Sequence, residues 1–144
     1  MLFFIISCNT VYSEKTEFKN NTWNYNDNVN FHVNIIENTN LYNVYIDIEN
    51  NDLYKYSNLY LFISLKSPEN KIKTDTVDVI LADYRGKWFG DKSNDVYKGH
   101  FLYRKAVSFP AKGTYIFSVK QGMRNDNLQG ISSIGISIEK CSNN

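Results

Sequence analysis

The 144-residue chain contains only two prolines, two cysteines and two histidines, and each shortage removes a class of protein. Proline is scarce while aromatics reach 15%, led by 11 Tyr and 9 Phe. That balance favours β structure over disorder or a helical bundle. His32 and His100 fall in separate strand-like segments with no second His or Cys at metal-ligand spacing, so no metal site or cofactor is expected. Each reads as a sheet-face residue. Gly-x-Ser-x-Gly, the phosphate-cradling glycine loops and His-Glu-x-x-His are absent, so no enzyme chemistry is legible. Asp75, Asp78 and Asp83 are close in sequence, but carboxylates that work as a pair must be close in space, and these read as solvated strand and turn charges. The formal net charge is +1 with no basic run, which leaves no electrostatic footprint for nucleic acid. With 42% hydrophobic residues the chain suits one domain with a sizeable core.

No apolar run approaches the roughly 20 residues needed to cross a bilayer as a helix. The run Met1 to Ile6 instead matches the tail of a secretion signal leading to a small residue. Ile5-Ile6-Ser7-Cys8 is similar to a bacterial lipobox. In that reading residues 1–7 are a truncated signal segment, lacking the usual Lys or Arg before Cys8, and Cys8 is the lipidation site. Its thiol forms a thioether with lipid, cleavage frees an amine for a further chain, and several chains make a stable anchor where one would be marginal. Cys141 is then a lone thiol near a frayed tail. Two plainer readings stand beside it: a buried free cysteine in a hydrophobic first strand, and a Cys8–Cys141 disulfide, an unusual staple between the chain's two ends.

Residues 8–28 read as a lipid-anchored tether and first strand, with Trp23 a plug beside a turn. The adjacent asparagines, Asn20-Asn21 and Asn50-Asn51, read as compositional bias. Residues 29–140 read as the domain. Phe31, Val33 and Ile35 alternate with polar residues, as do Tyr42, Val44, Ile46 and Ile48. Turn residues at Asn50-Asn51-Asp52 precede Leu59, Leu61 and Ile63, giving a meander, and Pro68-Glu69-Asn70 marks the next reversal. Lys71 to Ala82 alternates again, Val96 to Phe109 reads as one strand or a bent pair, and Tyr115 to Val119 and Ile134 to Ile138 complete the set. Eight or nine short strands with polar turns predict an all-β antiparallel β-sandwich, jelly-roll-like or immunoglobulin-like, as a single domain.

Two loops stand out. Leu81 to Gly90 gathers Asp83, Arg85, Lys87, Trp88 and Phe89 between strands. It reads either as a tight loop whose tryptophan plugs the end of the core, or as a recognition loop, since Trp and Arg are enriched where binding energy concentrates. Lys120 to Ile131 has the polar and glycine content of a long functional loop. Gln121, Arg124 and Asp126 either form a recognition patch or hold the turn in shape. The candidate partner-binding residues are Asp83, Arg85, Lys87, Trp88, Phe89, Gln121 and Arg124.

A succession of motifs then runs in one order from Cys8 to about Glu139: Cys8-Asn9 after the apolar leader, Tyr56-Ser57-Asn58-Leu59-Tyr60-Leu61-Phe62, Asp75-Thr76-Val77, Leu81-Ala82-Asp83 with Gly86-Lys87-Trp88-Phe89-Gly90, Phe109-Pro110 with Gly113-Thr114-Tyr115, and Gln121-Gly122-Met123-Arg124 through Leu128-Gln129-Gly130-Ile131. Together they resemble the gliding-motility lipoprotein GldH family, with Gly122 standing where a small residue such as alanine is expected. The resemblance implies a lipid-anchored envelope protein, on the outer rather than the inner membrane, that serves the gliding and secretion machinery through protein partners and carries no catalytic residues. A glycan-binding accessory lipoprotein is the alternative, with Tyr45, Tyr60 and Tyr84 as spare aromatics for a polysaccharide.

Overall fold

The structure, a computed structural model, describes residues 6–143, with side-chain surroundings from Cys8 to Cys141. The expected signal segment 1–7 therefore lies outside the described residues, apart from the backbone of Ile6 and Ser7. Strands run β1 (Ile6–Glu17), β2 (Thr22–Asn24), β3 (Val29–Ile35), β4 (Leu41–Asn50), β5 (Asn58–Lys66), β6 (Ile72–Ile80), β7 (Asp91–Ser93), β8 (Val96–Ser108), β9 (Gly113–Gln121), β10 (Asn127–Gln129) and β11 (Ile131–Asn143). A five-stranded sheet in the order β1-β11-β4-β8-β7 packs on a four-stranded sheet β3-β9-β5-β6, and β2 and β10 form a small third ladder. All pairings are antiparallel. The protein is a single-domain all-β sandwich.

Period-two alternation accounts for these strands. In β3, Val29, Phe31, Val33 and Ile35 are buried while Asn30, His32 and Asn34 face solvent. β4 buries Tyr42, Val44, Ile46 and Ile48, and β9 buries Tyr115, Phe117 and Val119. These inner faces meet in one core, to which β11 adds Ile134, Ile136 and Ile138, each fully buried. Trp23 is also fully buried, stacked on Phe18 at 4.8 Å with its indole N–H donated to Asp27 O at 2.8 Å. It is the plug expected from the sequence.

Three expectations are corrected. The meander fails at β4 and β5, which belong to opposite sheets, because turn residues mark where a chain reverses and not which sheet its next strand joins. Residues 8–28 do hold the expected first strand, but it does not serve as a tether leading into the domain: β1 pairs along its length with β11. The carboxyl end does not fray before Cys141, since that register sets Cys8 opposite Cys141 with Cα atoms 4.2 Å apart and joins the two sulfurs in a disulfide. The asparagine pairs also have local work. Asn20 and Asn21 take φ of 56° and 49°, and Asn70 takes 64° in the β5–β6 turn, left-handed angles that Asn tolerates better than most side chains.

Gly130, just before β11, has φ +95°, and a Cβ there would lie 2.2 Å from Tyr54 N. Gly86, at φ +83°, has open space around it. In urea titrations Gly130→Ala is expected to lose about 3 kcal/mol or more, because backbone must move. Gly86→Ala is expected to lose only about 1–2 kcal/mol for the left-handed angle.

Candidate partner-binding surface

The loop after β6 is built by Asp83. Its Oδ1 accepts the backbone N–H of Arg85 at 2.8 Å and of Lys87 at 2.9 Å, while Asp83 N–H donates to Lys87 O at 2.9 Å. Gly86 supplies the left-handed residue, and Ala82 and Trp88 close the loop as an isolated bridge. Gly90 needs no unusual dihedral. It is small because Lys98 C would lie 2.9 Å from an added Cβ. The tip carries Tyr84, 88% exposed, with Arg85 donating its Nε–H to Tyr84 Oη at 2.8 Å. Lys87 and Phe89 are exposed as well.

Trp88 turns the other way. Its indole N–H donates to Asp52 Oδ1 at 3.0 Å, and its ring lies 6.4 Å from Tyr54 and 6.1 Å from Tyr97. The packing reading of this tryptophan is the one its geometry favours, with an edge left half-exposed. Tyr54 is buried, donates its hydroxyl to Asn58 O at 2.7 Å, and is held far above the usual phenol pKa chiefly by burial.

The loop after β9 meets this assembly. Tyr56, edge-on to Tyr54 at 5.7 Å, donates to Asn125 Oδ1 at 2.7 Å. Gln121, expected among the exposed contacts, is only 2% exposed, and this corrects its role. Its amide donates to Asn125 O at 2.9 Å and accepts Met123 N–H at 2.8 Å, so it shapes the loop that presents Arg124. Arg124 itself is exposed. The loops following β4, β6 and β9 thus form one pole. The carboxylates of Asp52 and Asp83 are engaged internally, and Arg85, Lys87, Arg124, Tyr84 and Phe89 face outward. Cys8 sits at the other pole. Along β1, Cys8 to Glu17 at about 3.3 Å per residue places it roughly 30 Å from the loops.

A polar cluster on the outer face of the five-stranded sheet went unread in the sequence. Ser137 and His100 both hydrogen-bond the Asp47 carboxylate, His100 Nε2 lies 3.8 Å from Glu139, and Tyr45 stacks on the imidazole at 3.9 Å. Beside it Ser133 and Lys15 contact Glu49. Burial pushes the Glu49 carboxyl up, but these hydrogen bonds and the charges of Lys15 and Lys98 leave its pKa lowered. The strand periodicity would have placed Asp47, His100 and Ser137 on one face, but their adjacency depends on pairing between distant strands. Ser137 and His100 both address the carboxylate and not each other, so the serine-to-imidazole bond of a nucleophilic triad is not formed. Asp75, Asp78 and Asp83 do not converge either: Asp75 meets Tyr103 and Arg104, Asp78 accepts from Asn58, and Asp83 holds its own loop. Among the described residues no group of three or more His, Cys, Asp or Glu is arranged to hold a metal ion.

Fold and site together define a β-sandwich that presents Tyr84, Arg85, Lys87, Phe89 and Arg124 at one pole. The profile of the GldH lipoprotein family matches residues 10–138, and the chain belongs to that family. A relative named gliding motility lipoprotein GldH homolog, from Christiangramia forsetii, is 34% identical over 128 residues, covering 84% of this chain and 79% of the relative. Gliding motility lipoprotein GldH of Flavobacterium johnsoniae is 27% identical over 125 residues, covering 82% and 77%. The solved structure of infectious bursal disease virus Gx strain aligns over 96% of this chain and 32% of the viral chain, at 9% identity and a TM-score of 0.35, a likeness too weak to argue from.

Gln121→Ala is expected to lower stability by about 1–3 kcal/mol, since it orphans the partners of a buried amide. Arg124→Ala should stay within about 0.5 kcal/mol of the parent. Paired urea titrations check both.

Proposed function

We propose that this protein is a lipid-anchored envelope protein of the gliding-motility machinery and its associated secretion, acting by contact and not by catalysis. The observation that carries the reading is the polarity of the sandwich: Cys8 lies at one pole, and Tyr84, Arg85, Lys87, Phe89 and Arg124 lie at the other, roughly 30 Å away. Lipid on Cys8 would seat the domain on a membrane, the outer one in this reading, with the loop pole facing a protein partner. The two relatives are named gliding motility lipoproteins, which supports a lipid anchor and a part in gliding.

The thioether and the Cys8–Cys141 disulfide need the same sulfur, so they exclude each other in any one molecule. We favour the thioether, because Cys8 follows an apolar run and a small residue in the order a lipoprotein signal requires. Acylation then leaves Cys141 as a thiol beside Asn43 Nδ2, at 3.3 Å.

A second reading rests on Tyr60 and Phe62. They are 42% and 41% exposed at alternate positions of β5, on one outer face beside Lys120 and Asp78, a flat aromatic platform suited to stacking on sugar rings. Tyr45 is unsuited to that task because His100 already covers its ring.

In-cell cross-linking of the tagged, Cys8-intact protein tests the main reading. The expected result is recovery of motility or secretion components through Lys87, reduced at least tenfold by Phe89→Ala with Arg124→Ala at unchanged thermal stability. Metabolic palmitate labelling is expected to vanish in Cys8→Ser along with membrane sedimentation. Undiminished partner recovery in the double variant, or retained polysaccharide lost on Phe62→Ala with no protein partner, would overturn the contact role. A mature protein with an intact disulfide and no lipid would overturn the anchor.

A further inference from the structure

The edge of the four-stranded sheet at β6 is built to pair with itself. β6 pairs with β5 over an unbroken register from Ile72 opposite Lys66 to Ile80 opposite Asn58. The bonds at its two ends fix the direction of its backbone groups. Ser67 N–H donates to Lys71 O at 2.8 Å, and Leu81 N–H donates to Ser57 O at 2.7 Å. Because hydrogen bonding alternates in an antiparallel ladder, the odd-numbered residues of β6 face β5, and Ile72, Thr74, Thr76, Asp78 and Ile80 direct their N–H and C=O groups to the open edge.

The other edges carry features that resist such pairing. β1 is bulged between Thr10 and Tyr12. β8, where β7 leaves it uncovered, has register shifts opposite Tyr42 to Tyr45 and a left-handed Ala106 at φ 52°. β3 is regular, but its outward side chains Asn30, His32 and Asn34 offer nothing apolar to bury. β6 has neither bulge nor proline, and it carries Ile72 and Ile80, 63% and 49% exposed, at its two ends. A regular edge with exposed apolar residues is a template for another strand.

We propose that the occupant is a second copy of this chain, its β6 added antiparallel about a two-fold axis at Thr76. In that register Ile72, Thr74, Thr76, Asp78 and Ile80 meet Ile80, Asp78, Thr76, Thr74 and Ile72 of the second copy. The apolar ends cover each other, and every outward-directed backbone group of β6 finds a partner. On the inner face Lys73 meets Val79 and Asp75 meets Val77, so no like charges lie directly opposite. The one like-charge diagonal, between the two copies of Asp75, is neutralised in each copy by its own Arg104. Centring the axis on Asp75 or Asp78 sets carboxylate against carboxylate, and centring it on Val77 leaves Ile72 without a partner. The chosen axis also makes the interface isologous and closed, which ends assembly at two copies.

Sedimentation equilibrium and cysteine trapping test this on the full chain carrying Cys8→Ser and Cys141→Ser. A dimer at micromolar concentration is expected, together with a disulfide-linked dimer when Thr76→Cys is added. Thr76→Pro removes only an N–H that points to the open edge, which an edge strand tolerates. It should weaken association at least tenfold at an unchanged melting temperature, and Ile72→Lys with Ile80→Lys should do the same without touching the backbone. A chain that stays monomeric, or a dimer indifferent to these changes, would overturn the proposal. So would a monomer whose cross-links to another protein are lost with Thr76→Pro, because the edge would then belong to that protein's strand.

Discussion

The two-sided pairing of β11 is the constraint on which the other elements depend. β11 hydrogen-bonds β1 on one side and β4 on the other, so the last strand lies inside the sheet and holds the first strand at its edge. Its inward residues Ile134, Ile136 and Ile138 reach no solvent. On its outer face Ser133, Gly135 and Ser137 are small, and a Cβ on Gly135 would come within 2.7 Å of Glu14 O. Gly130 sets where the strand begins. Its N–H goes to Asn21 O and its carbonyl accepts Asn51 N–H, both at 2.8 Å, so one residue ties together three segments far apart in sequence.

That tie also organises the loop pole. Asn51 begins the segment bearing Asp52, Tyr54 and Tyr56, which hold Trp88 on one side and Asn125 on the other. The loops are therefore fixed by buried aromatics and internal hydrogen bonds, and their exposed cations and rings stand on a rigid base. Side chains so held would lose less conformational freedom on binding a partner than those of a floppy loop. The packing reading of the 81–90 loop is met by Trp88, which packs toward the core, while Tyr84, Arg85, Lys87 and Phe89 face water, where the contact role proposed for them would need them.

The sequence told most where side chains of one strand alternate, because a residue's face depends on its immediate neighbours. The positions of β3, β4, β5, β9 and β11, the plug role of Trp23 and the turn at Asn70 were all legible in that way. Gln121 was ambiguous, since an amide can serve a partner or its own loop, and only its burial decides between them. The Asp47, His100 and Ser137 cluster was invisible for a related reason. Each residue looks like an ordinary outward position until strands far apart in the chain are set side by side.

Taken alone, then, the amino-acid order determined the all-β character, the single domain, the places where the chain reverses and the family to which it belongs. Those are properties of local alternation, turn chemistry and linear motifs, all written within a few residues of one another. Tertiary structure decided which sheet each strand joins, that Cys8 lies opposite Cys141, that Gln121 turns inward while Arg124 turns outward, and that β6 is left with a regular open edge. These depend on contacts between segments distant in sequence, and the free energy of such contacts exists only once the whole core has formed.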